Sequence, residues 1–221
     1  MLSQKPPSLT FTKVLCPQSI ADSLGGRLPP KGSKIGLLGG SFNPAHKAHC
    51  QISKEALVHL GLDEVWWLVS PQNPMKDTKG MAPLAERVNS ALSIPKHPKV
   101  RVTTIESQVR SVYTADTLSR MRQIFPWVDF TWLMGADNLS QISLWRDWQD
   151  IFNTVKVAVF ARPGYSLQAA NSKAARRFRN VRVSEKLARS LSTRVAPAWT
   201  IIHGQQLDIS STAIRNGKRK D

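Results

Sequence analysis

The sequence is poor in cysteine, in acidic residues and in long apolar runs, and these shortages exclude several classes of protein. Two cysteines among 221 residues, Cys16 and Cys50, form neither a CxxC pair nor a zinc-ligand spacing. This predicts reduced thiols and argues against a disulfide scaffold. No apolar run approaches the roughly 18 residues of a membrane-spanning helix, and the first thirty residues lack the apolar centre of a secretory signal. We therefore expect a cytoplasmic protein that does not associate with a membrane.

The shortage of acidic residues leaves a large positive charge. The chain has 31 Lys and Arg against 15 Asp and Glu, a net charge of +16. Such a charge favours anionic partners, namely nucleotides, nucleic acid or acidic lipid, without choosing among them. One stretch, residues 171–194, has eight basic residues and one acid and so contributes +7 of this net charge. For that stretch alone, a solvated helical face is the preferred interpretation.

Short apolar runs alternate with helical patterns from Lys34 onward, which predicts an α/β protein. Strand, helix and strand in turn imply parallel pairing with crossover helices on both faces of one sheet. We predict a Rossmann-like, doubly wound parallel sheet in a single domain, residues 34–221, after a mobile N-terminal extension, residues 1–33. A transit peptide is disfavoured there, since prolines interrupt any amphipathic helix. The predicted strands are 35–38, 64–70, 100–106, 130–135, 155–161 and 198–203, and the predicted helices 46–60, 83–93 and 114–125.

The unusual motifs all follow predicted strands. An open parallel sheet binds ligands beyond the carboxyl ends of its strands, where these loops gather. We therefore expect one site at that edge, built from the segments GGSFNPAH, SPQNPMK, GADN, ARPG and DISSTAIR.

The segment GGSFNPAHKAH, residues 39–49, carries the strongest chemical signal. Gly39 and Gly40 let the backbone approach a ligand closely, and Pro44 suits the first turn of a helix. His46 and His49 would then lie at positions i and i+3 on one face of the helix, near its N-terminus. Free backbone amides and the helix dipole attract an anion there. The chain has no HExxH motif and no GxxxxGK[ST] loop, so the imidazoles are predicted to donate hydrogen bonds to phosphate.

The segment GGSFNPAHKAH resembles the phosphate-binding signature of the HxGH nucleotidyltransferases. The resemblance to the bacterial nicotinate-nucleotide adenylyltransferases extends through LGLDEVWWLVSPQNPMK, SVYTADTL, MGADNLSQISLWRDW, ARPGY and LDISSTAIR, in the family's order, over residues 34–217. Ala48 stands where the family has a glycine between its histidines. The resemblance implies a Rossmann-like fold and transfer of the adenylyl group of ATP to nicotinate mononucleotide.

The resemblance also implies a set of site residues. His46 and His49 would contact the α-phosphate of ATP and the charge that develops on it. No protein-bound metal is expected, and Mg²⁺ would arrive with ATP. Other ATP contacts are expected at Gly39, Gly40, Ser41, Phe42, Arg162, Ser210, Ser211 and Arg215. Nicotinate mononucleotide contacts are expected at Lys76, Tyr113, Thr114, Asp137 and Trp145, with Trp145 stacking on the ring and Trp148 left in the core.

Three other interpretations compete with this one. The first is a nucleotidyltransferase that acts on another phosphate, such as phosphopantetheine, against which GADN, SLWRDW and YTADTL argue. The second is a nucleic-acid-binding protein, but no recognised nucleic-acid module is present and specific binding is not expected. Class I aminoacyl-tRNA synthetases are set aside for want of a tRNA-binding domain. The sequence leaves a homo-oligomer open.

Overall fold

Six parallel strands form one sheet in the order β3-β2-β1-β4-β5-β6. The computed structural model describes residues 21, 24–71, 80–109, 111–164, 166–204 and 209–217. The strands are β1 (Lys34–Gly40), β2 (Glu64–Val69), β3 (Val100–Thr103), β4 (Asp129–Gly135), β5 (Lys156–Phe160) and β6 (Trp199–Ile202). Strand order reverses between β1 and β4, which makes this the switch point of a doubly wound sheet. The predicted Rossmann-like α/β fold is confirmed.

Helices cover both faces of this sheet. The helices are α1 (Lys47–Leu60), α2 (Leu84–Ser93), α3 (Ile105–Gln108), α4 (Thr114–Ile124), α5 (Ala136–Gln141), α6 (Trp148–Thr154), α7 (Ser166–Ala170), α8 (Lys173–Arg177) and α9 (Ser211–Arg215). Three 3₁₀ segments, Ile142–Leu144, Arg179–Val181 and Glu185–Thr193, complete the described elements. In the part of the chain that the structure describes, no helix is both long and apolar enough to cross a membrane.

The core is split into two layers by the sheet, because successive strand side chains point to opposite faces. Trp66 packs on one side with residues of α4 and α6, and Trp67 packs on the other with residues of α1 and α2. Both indoles are fully buried. Strands that are covered on both faces have continuous apolar sequences, such as VWWLV in β2.

The third predicted strand is too long. The sequence suggested residues 100–106, whereas β3 ends at Thr103 and Ile105 begins α3. The hydroxyl of Thr103 accepts a hydrogen bond from the backbone N–H of Ile105 at 3.1 Å, which turns the chain out of the sheet. A threonine side chain that competes for backbone donors has ended an otherwise β-rich run.

The described part of the N-terminal extension differs from the predicted mobile tail. Leu24 is 3% exposed and belongs to the core. The Arg101 guanidinium donates to the carbonyl oxygens of Leu24 and Arg27, at 2.8 and 3.2 Å, and the Trp127 indole donates to that of Pro29 at 3.2 Å. These backbone contacts hold the residues just before β1 against the domain. They carry no sequence signal, since carbonyl acceptors are common to all residues.

The basic stretch, residues 171–194, is not one helix. It consists of α8 and two 3₁₀ segments, between which Val183 donates a backbone hydrogen bond to Trp199 of β6 at 2.7 Å. All eight Lys and Arg side chains are exposed. The predicted solvation of these charges is therefore confirmed, although the continuous helical face is not.

Candidate active site at the carboxyl edge of the sheet

Two adjoining cavities open at the carboxyl ends of the strands. The first, here the histidine cavity, has a volume of about 200 Å³. The second, here the ring cavity, has a volume of about 320 Å³. They share Gly39, Gly40, Ser41 and Asn138 in their walls. The edge that the sequence predicted as the ligand site thus contains two connected spaces on either side of the switch point.

The histidine cavity begins at the N-terminus of α1. His46 is the N-cap residue, with extended backbone angles, and is 2% exposed. Its ring centroid lies 3.9 Å from that of His49, so the structure brings the two imidazoles together. The remaining lining residues are Leu38, Gly39, Gly40, Ser41, Phe42, Ile52, Gly135, Asp137, Asn138, Arg162, Ser210, Ser211 and Thr212.

The backbone fixes the hydrogen-bonding role of His49. The N–H of His46 donates to His49 Nδ1 at 3.1 Å. A nitrogen that accepts a hydrogen bond carries no proton, so the proton of a neutral His49 ring lies on Nε2. This tautomer makes Nε2 a hydrogen-bond donor, which is the form that an anionic ligand requires.

Phe42 shapes the loop between β1 and α1. Its φ of 48° lies in the left-handed region, which is uncommon for a residue with a side chain. The ring is 1% exposed and stacks on Trp67 at 5.1 Å and against His49 at 4.6 Å. Aromatic packing therefore holds the strained backbone of the loop and orients the second histidine.

A buried arginine ties this loop to its neighbours. Arg87 of α2 is 2% exposed and donates to four backbone carbonyl oxygens. Burial lowers the pKa of its guanidinium. The acceptors are Ala82 at 2.9 Å, Ser41 at 2.8 Å, Ser70 at 2.7 Å and Pro71 at 3.1 Å. Because Ser41 follows β1 and Ser70 follows β2, one side chain connects the loops beyond two adjacent strands.

Asp137 and Arg162 form an ion pair in the histidine cavity, with Nη1 of Arg162 3.3 Å from Oδ2 of Asp137. The second carboxylate oxygen of Asp137 is buried and accepts no hydrogen bond from the residues that the structure describes. The sequence grouped Asp137 with the pyridine nucleotide; in the structure it lines the histidine cavity. It is the second residue of α5, which begins directly after β4, the strand beside β1.

The C-terminal motif reaches the same cavity through helix capping. The Ser210 hydroxyl accepts from the backbone N–H of Ala213 at 3.2 Å, as an N-cap does, and the Ser211 hydroxyl donates to the Pro44 carbonyl oxygen at 2.9 Å. Arg215 donates to the carbonyl oxygen of Asn43 and to the Thr212 hydroxyl. It lines neither cavity, and its contact with the phosphates of ATP remains a prediction.

The ring cavity has an aromatic and largely apolar wall. Tyr113 and Thr114, at the N-terminus of α4, line it together with Trp145, so the structure brings together three residues that were expected to bind one substrate. Trp145 is partly buried against the core, and Trp148 is a core residue as expected. Sequence reasoning missed Ser70, Glu106, Val112, Trp132, Asn138, Leu144 and Arg146.

Two of the missed residues carry polar groups of consequence. Trp132 is 3% exposed, and its indole N–H has no acceptor among the described residues. The guanidinium of Arg146 lies 4.7 Å from the centroid of the Tyr113 ring. A tryptophan inside a strand is typical of a core residue, and an arginine in a loop is typical of a surface residue. The sequence pattern therefore did not indicate that Trp132 and Arg146 line a cavity. Lys76 lies outside the described residues.

Comparisons with known proteins agree with this architecture. Residues 37–217 match the cytidylyltransferase-like family model. A probable nicotinate-nucleotide adenylyltransferase of Rhizobium johnstonii is 46% identical over 187 residues, 85% of this chain and 94% of that protein. One of Ruegeria pomeroyi is 47% identical over 184 residues, 83% of this chain and 86% of that protein. The chain belongs to the nicotinate-nucleotide adenylyltransferase family.

Solved structures support the fold assignment. A nicotinic acid mononucleotide adenylyltransferase of Plasmodium falciparum, complexed with NaAD, superposes with a TM-score of 0.60 at 17% identity, over 83% of each chain. The same enzyme complexed with APC gives a TM-score of 0.59, over 85% of this chain and 83% of that one. At this identity the likeness concerns the arrangement of strands and helices.

Proposed function

We propose that the two cavities together carry out adenylyl transfer from ATP to nicotinate mononucleotide. The enzyme is a nicotinate-nucleotide adenylyltransferase, and its reaction forms nicotinate adenine dinucleotide and pyrophosphate in NAD biosynthesis. The observation that carries the assignment of the site is the shared wall. A space with paired imidazoles adjoins a space with aromatic walls, so a reacting phosphate can pass between them at Gly40 and Ser41.

The chemistry needs no general base. A phosphate monoester has its second pKa near about 6, so the phosphate of the mononucleotide is largely ionised at neutral pH. One of its oxygens attacks the α-phosphorus of ATP, and the bond from that phosphorus to the bridging oxygen breaks. Pyrophosphate leaves with the electron pair of that bond. The protein's task is to hold two anions in line and to stabilise the charge that develops.

The histidine cavity supplies this stabilisation. His49, with its proton on Nε2, and His46 beside it would contact the α-phosphate, and the α1 N-terminus adds its dipole. Gly39, Gly40, Ser41 and Phe42 would hold the nucleotide through the backbone, and Ser210 and Ser211 would close the opposite wall. Arg162 is the only Lys or Arg among the described lining residues, and it would offset negative charge. The buried second oxygen of Asp137 would accept a ribose hydroxyl of ATP.

The ring cavity would take the pyridine nucleotide. Trp145 would stack on the ring, and the backbone amides of Tyr113 and Thr114 would receive its carboxylate at the N-terminus of α4. Lys76 and Arg215 remain proposed contacts for substrate phosphates. Mg²⁺ would enter as part of the MgATP substrate, where it offsets the charge of the triphosphate. A cytoplasmic location and a homo-oligomeric state also remain predictions.

The proposal is tested by pyrophosphate release from MgATP and each of three acceptors. We expect turnover with nicotinate mononucleotide, and at most weaker turnover with nicotinamide mononucleotide or phosphopantetheine. Removal of Mg²⁺ with a chelator should abolish release. Turnover with phosphopantetheine alone would contradict the assigned acceptor, and absence of any adenylyl transfer would refute the proposed function.

A further inference from the structure

One carboxyl group in the wall of the ring cavity has no part in the reaction described above. Glu106, the second residue of α3, is 7% exposed and lines this cavity. Burial raises the pKa of Glu106 to about 7, although a hydrogen bond with the Ser70 side chain lowers the pKa in part. A buried carboxyl group with a raised pKa in the wall of a ligand cavity is a candidate for contact with the ligand.

Glu106 lies between the shared wall and the segment that carries Tyr113. Its side chain bonds Ser70, whose backbone N–H donates to the Gly40 carbonyl oxygen at 3.0 Å, and its own carbonyl oxygen accepts from the Ser111 N–H at 3.4 Å. Glu106 lies on the connection between β3 and α4, which also carries Tyr113 and Thr114. Strand β3 is at the outer edge of the sheet, and β2 separates it from β1, where the glycines of the shared wall lie. A nucleotide whose phosphate meets Ser41 and whose ring carboxylate meets the amides of Tyr113 and Thr114 would present its ring substituent toward this connection.

Few charged residues in the described part of the chain line the cavity beside Glu106. Among the described lining residues of the cavity, Glu106 and Arg146 are the only charged ones. Arg146 is exposed and lies over the Tyr113 phenol, with Asp116 of α4 also acting on it. Arg87 is buried nearby and bonds the backbone carbonyl oxygen of Ser70, whereas Glu106 bonds the Ser70 side chain. Among the described residues, burial and Ser70 are the main influences on the pKa of Glu106.

We propose that Glu106 is a specificity-determining residue that selects between an acid and an amide substituent on the pyridine ring. The inference rests on the proposed function. When Glu106 is protonated, its O–H donates a hydrogen bond to the ring carboxylate of nicotinate mononucleotide. When it is ionised, it repels that carboxylate and accepts an N–H of the carboxamide of nicotinamide mononucleotide. One proton therefore decides which of the two ring substituents has a complementary partner.

The test is the ratio of kcat/KM for the two mononucleotides between pH 6 and pH 8. The pH dependence of kcat/KM reports the groups of the free enzyme. Ionisation of the substrate phosphate is common to both mononucleotides and cancels in the ratio. Because the protonated fraction of a group with a pKa near 7 falls about tenfold over this range, we expect the acid-to-amide ratio to fall about tenfold or more.

Three variants make the test specific. Glu106→Gln keeps the shape and hydrogen-bonding capacity but cannot ionise, so its ratio should not vary with pH. Ser70→Ala removes the hydrogen bond that lowers the pKa of Glu106, so the midpoint of the change should move to higher pH. Glu86→Gln is the matched control, since Glu86 is an exposed glutamate on α2, and it should follow the unmodified protein. Circular dichroism and thermal unfolding of each variant check that the fold is retained.

The outcomes separate this inference from the proposed function. Turnover with a ratio that is equally flat in the unmodified protein and in Glu106→Gln would overturn the role of Glu106 and leave the reaction standing. Absence of turnover with both mononucleotides would overturn the reaction itself. If Glu106→Gln does not fold, the titration of the Glu106 carboxyl is measured directly by ¹³C NMR. The resonance is assigned by its change in chemical shift in Ser70→Ala. A midpoint below pH 5.5, or one unmoved by either mononucleotide, would then refute the proposal.

Discussion

The two cavities at the edge of the sheet differ in chemistry although they share four residues. The histidine cavity is polar, with two imidazoles, an Asp–Arg pair and three hydroxyl side chains from the last helix and its cap. The ring cavity has three aromatic side chains and two aliphatic ones, with a single acid and a single base. The difference suits one edge to two tasks. We expect charge to be stabilised on one side of the switch point and a flat ring to be bound on the other.

The boundary between the cavities depends on the absence of a side chain. A Cβ on Gly39 would collide with the indole of Trp132. Gly39 lines both cavities and Trp132 lines the ring cavity, so any larger residue would displace the wall between the two. The glycine here is required for close approach, not for its backbone angles.

Removing the imidazole of His49 from the histidine cavity should have the largest effect on the reaction. We expect His49→Ala to lower kcat by about 10²-fold or more, as loss of a transition-state hydrogen-bond donor does, whichever mononucleotide is used. Single-turnover and steady-state kinetics measure this. His59→Ala on the same helix is the control, because His59 is paired with Glu55 and lies in neither cavity. Near-normal kcat in His49→Ala would remove this side chain from the mechanism.

Loss of the Arg87 guanidinium, which bonds the loops after β1 and β2, should lower stability and weaken the binding of both substrates. Arg87→Leu leaves four carbonyl oxygens without their donor, so we expect a loss of about 2–4 kcal/mol in the free energy of unfolding. KM should rise for both substrates, since Ser41 lies in both walls. Arg87→Lys should recover part of the stability and part of the affinity. Denaturant unfolding and two-substrate kinetics measure these effects, and an increase in KM for one substrate alone would contradict the role.

Truncation of the stacking candidate should affect the ring cavity alone. We expect Trp145→Ala to raise KM for nicotinate mononucleotide about tenfold, in keeping with the loss of one aromatic stacking contact, and to leave KM for ATP nearly unchanged. Trp127→Ala, at the opposite end of the sheet, serves as control. Equal increases for both substrates would instead indicate that Trp145 acts through packing.

The smallest effect concerns Asp137. Asp137→Asn keeps the shape but weakens acceptance of a ribose hydroxyl, so KM for ATP should rise about three- to tenfold. KM for nicotinate mononucleotide should change less, because Asp137 lines only the histidine cavity. Asp150→Asn, an exposed position on α6, is the control. A larger effect on the mononucleotide would return Asp137 to the group in which the sequence placed it.

Much of this architecture was predictable from local pattern. Continuous apolar runs such as residues 65–69 indicated buried parallel strands, and the spacing of His46 and His49 indicated one face of a helix. The motifs at the strand ends indicated one edge, since parallel strands bring their carboxyl ends together. Glu106 was missed because a lone glutamate in the segment IESQ is typical of a surface residue. Its burial results from the packing of α3, which the local sequence does not show.

The sequence by itself determined the six strands, the three longest α-helices and the family, and it predicted the edge of the sheet at which ligand would bind, because these follow from periodicity and from motifs that are contiguous in the chain. Only the tertiary structure decided that the edge holds two cavities, that Asp137 lies with the histidines, and that Arg87 and Glu106 flank Ser70. The physical reason is that hydrogen bonds to backbone carbonyls, and the desolvation that shifts a pKa, depend on neighbours that are distant in the chain. No local pattern of residue types specifies them.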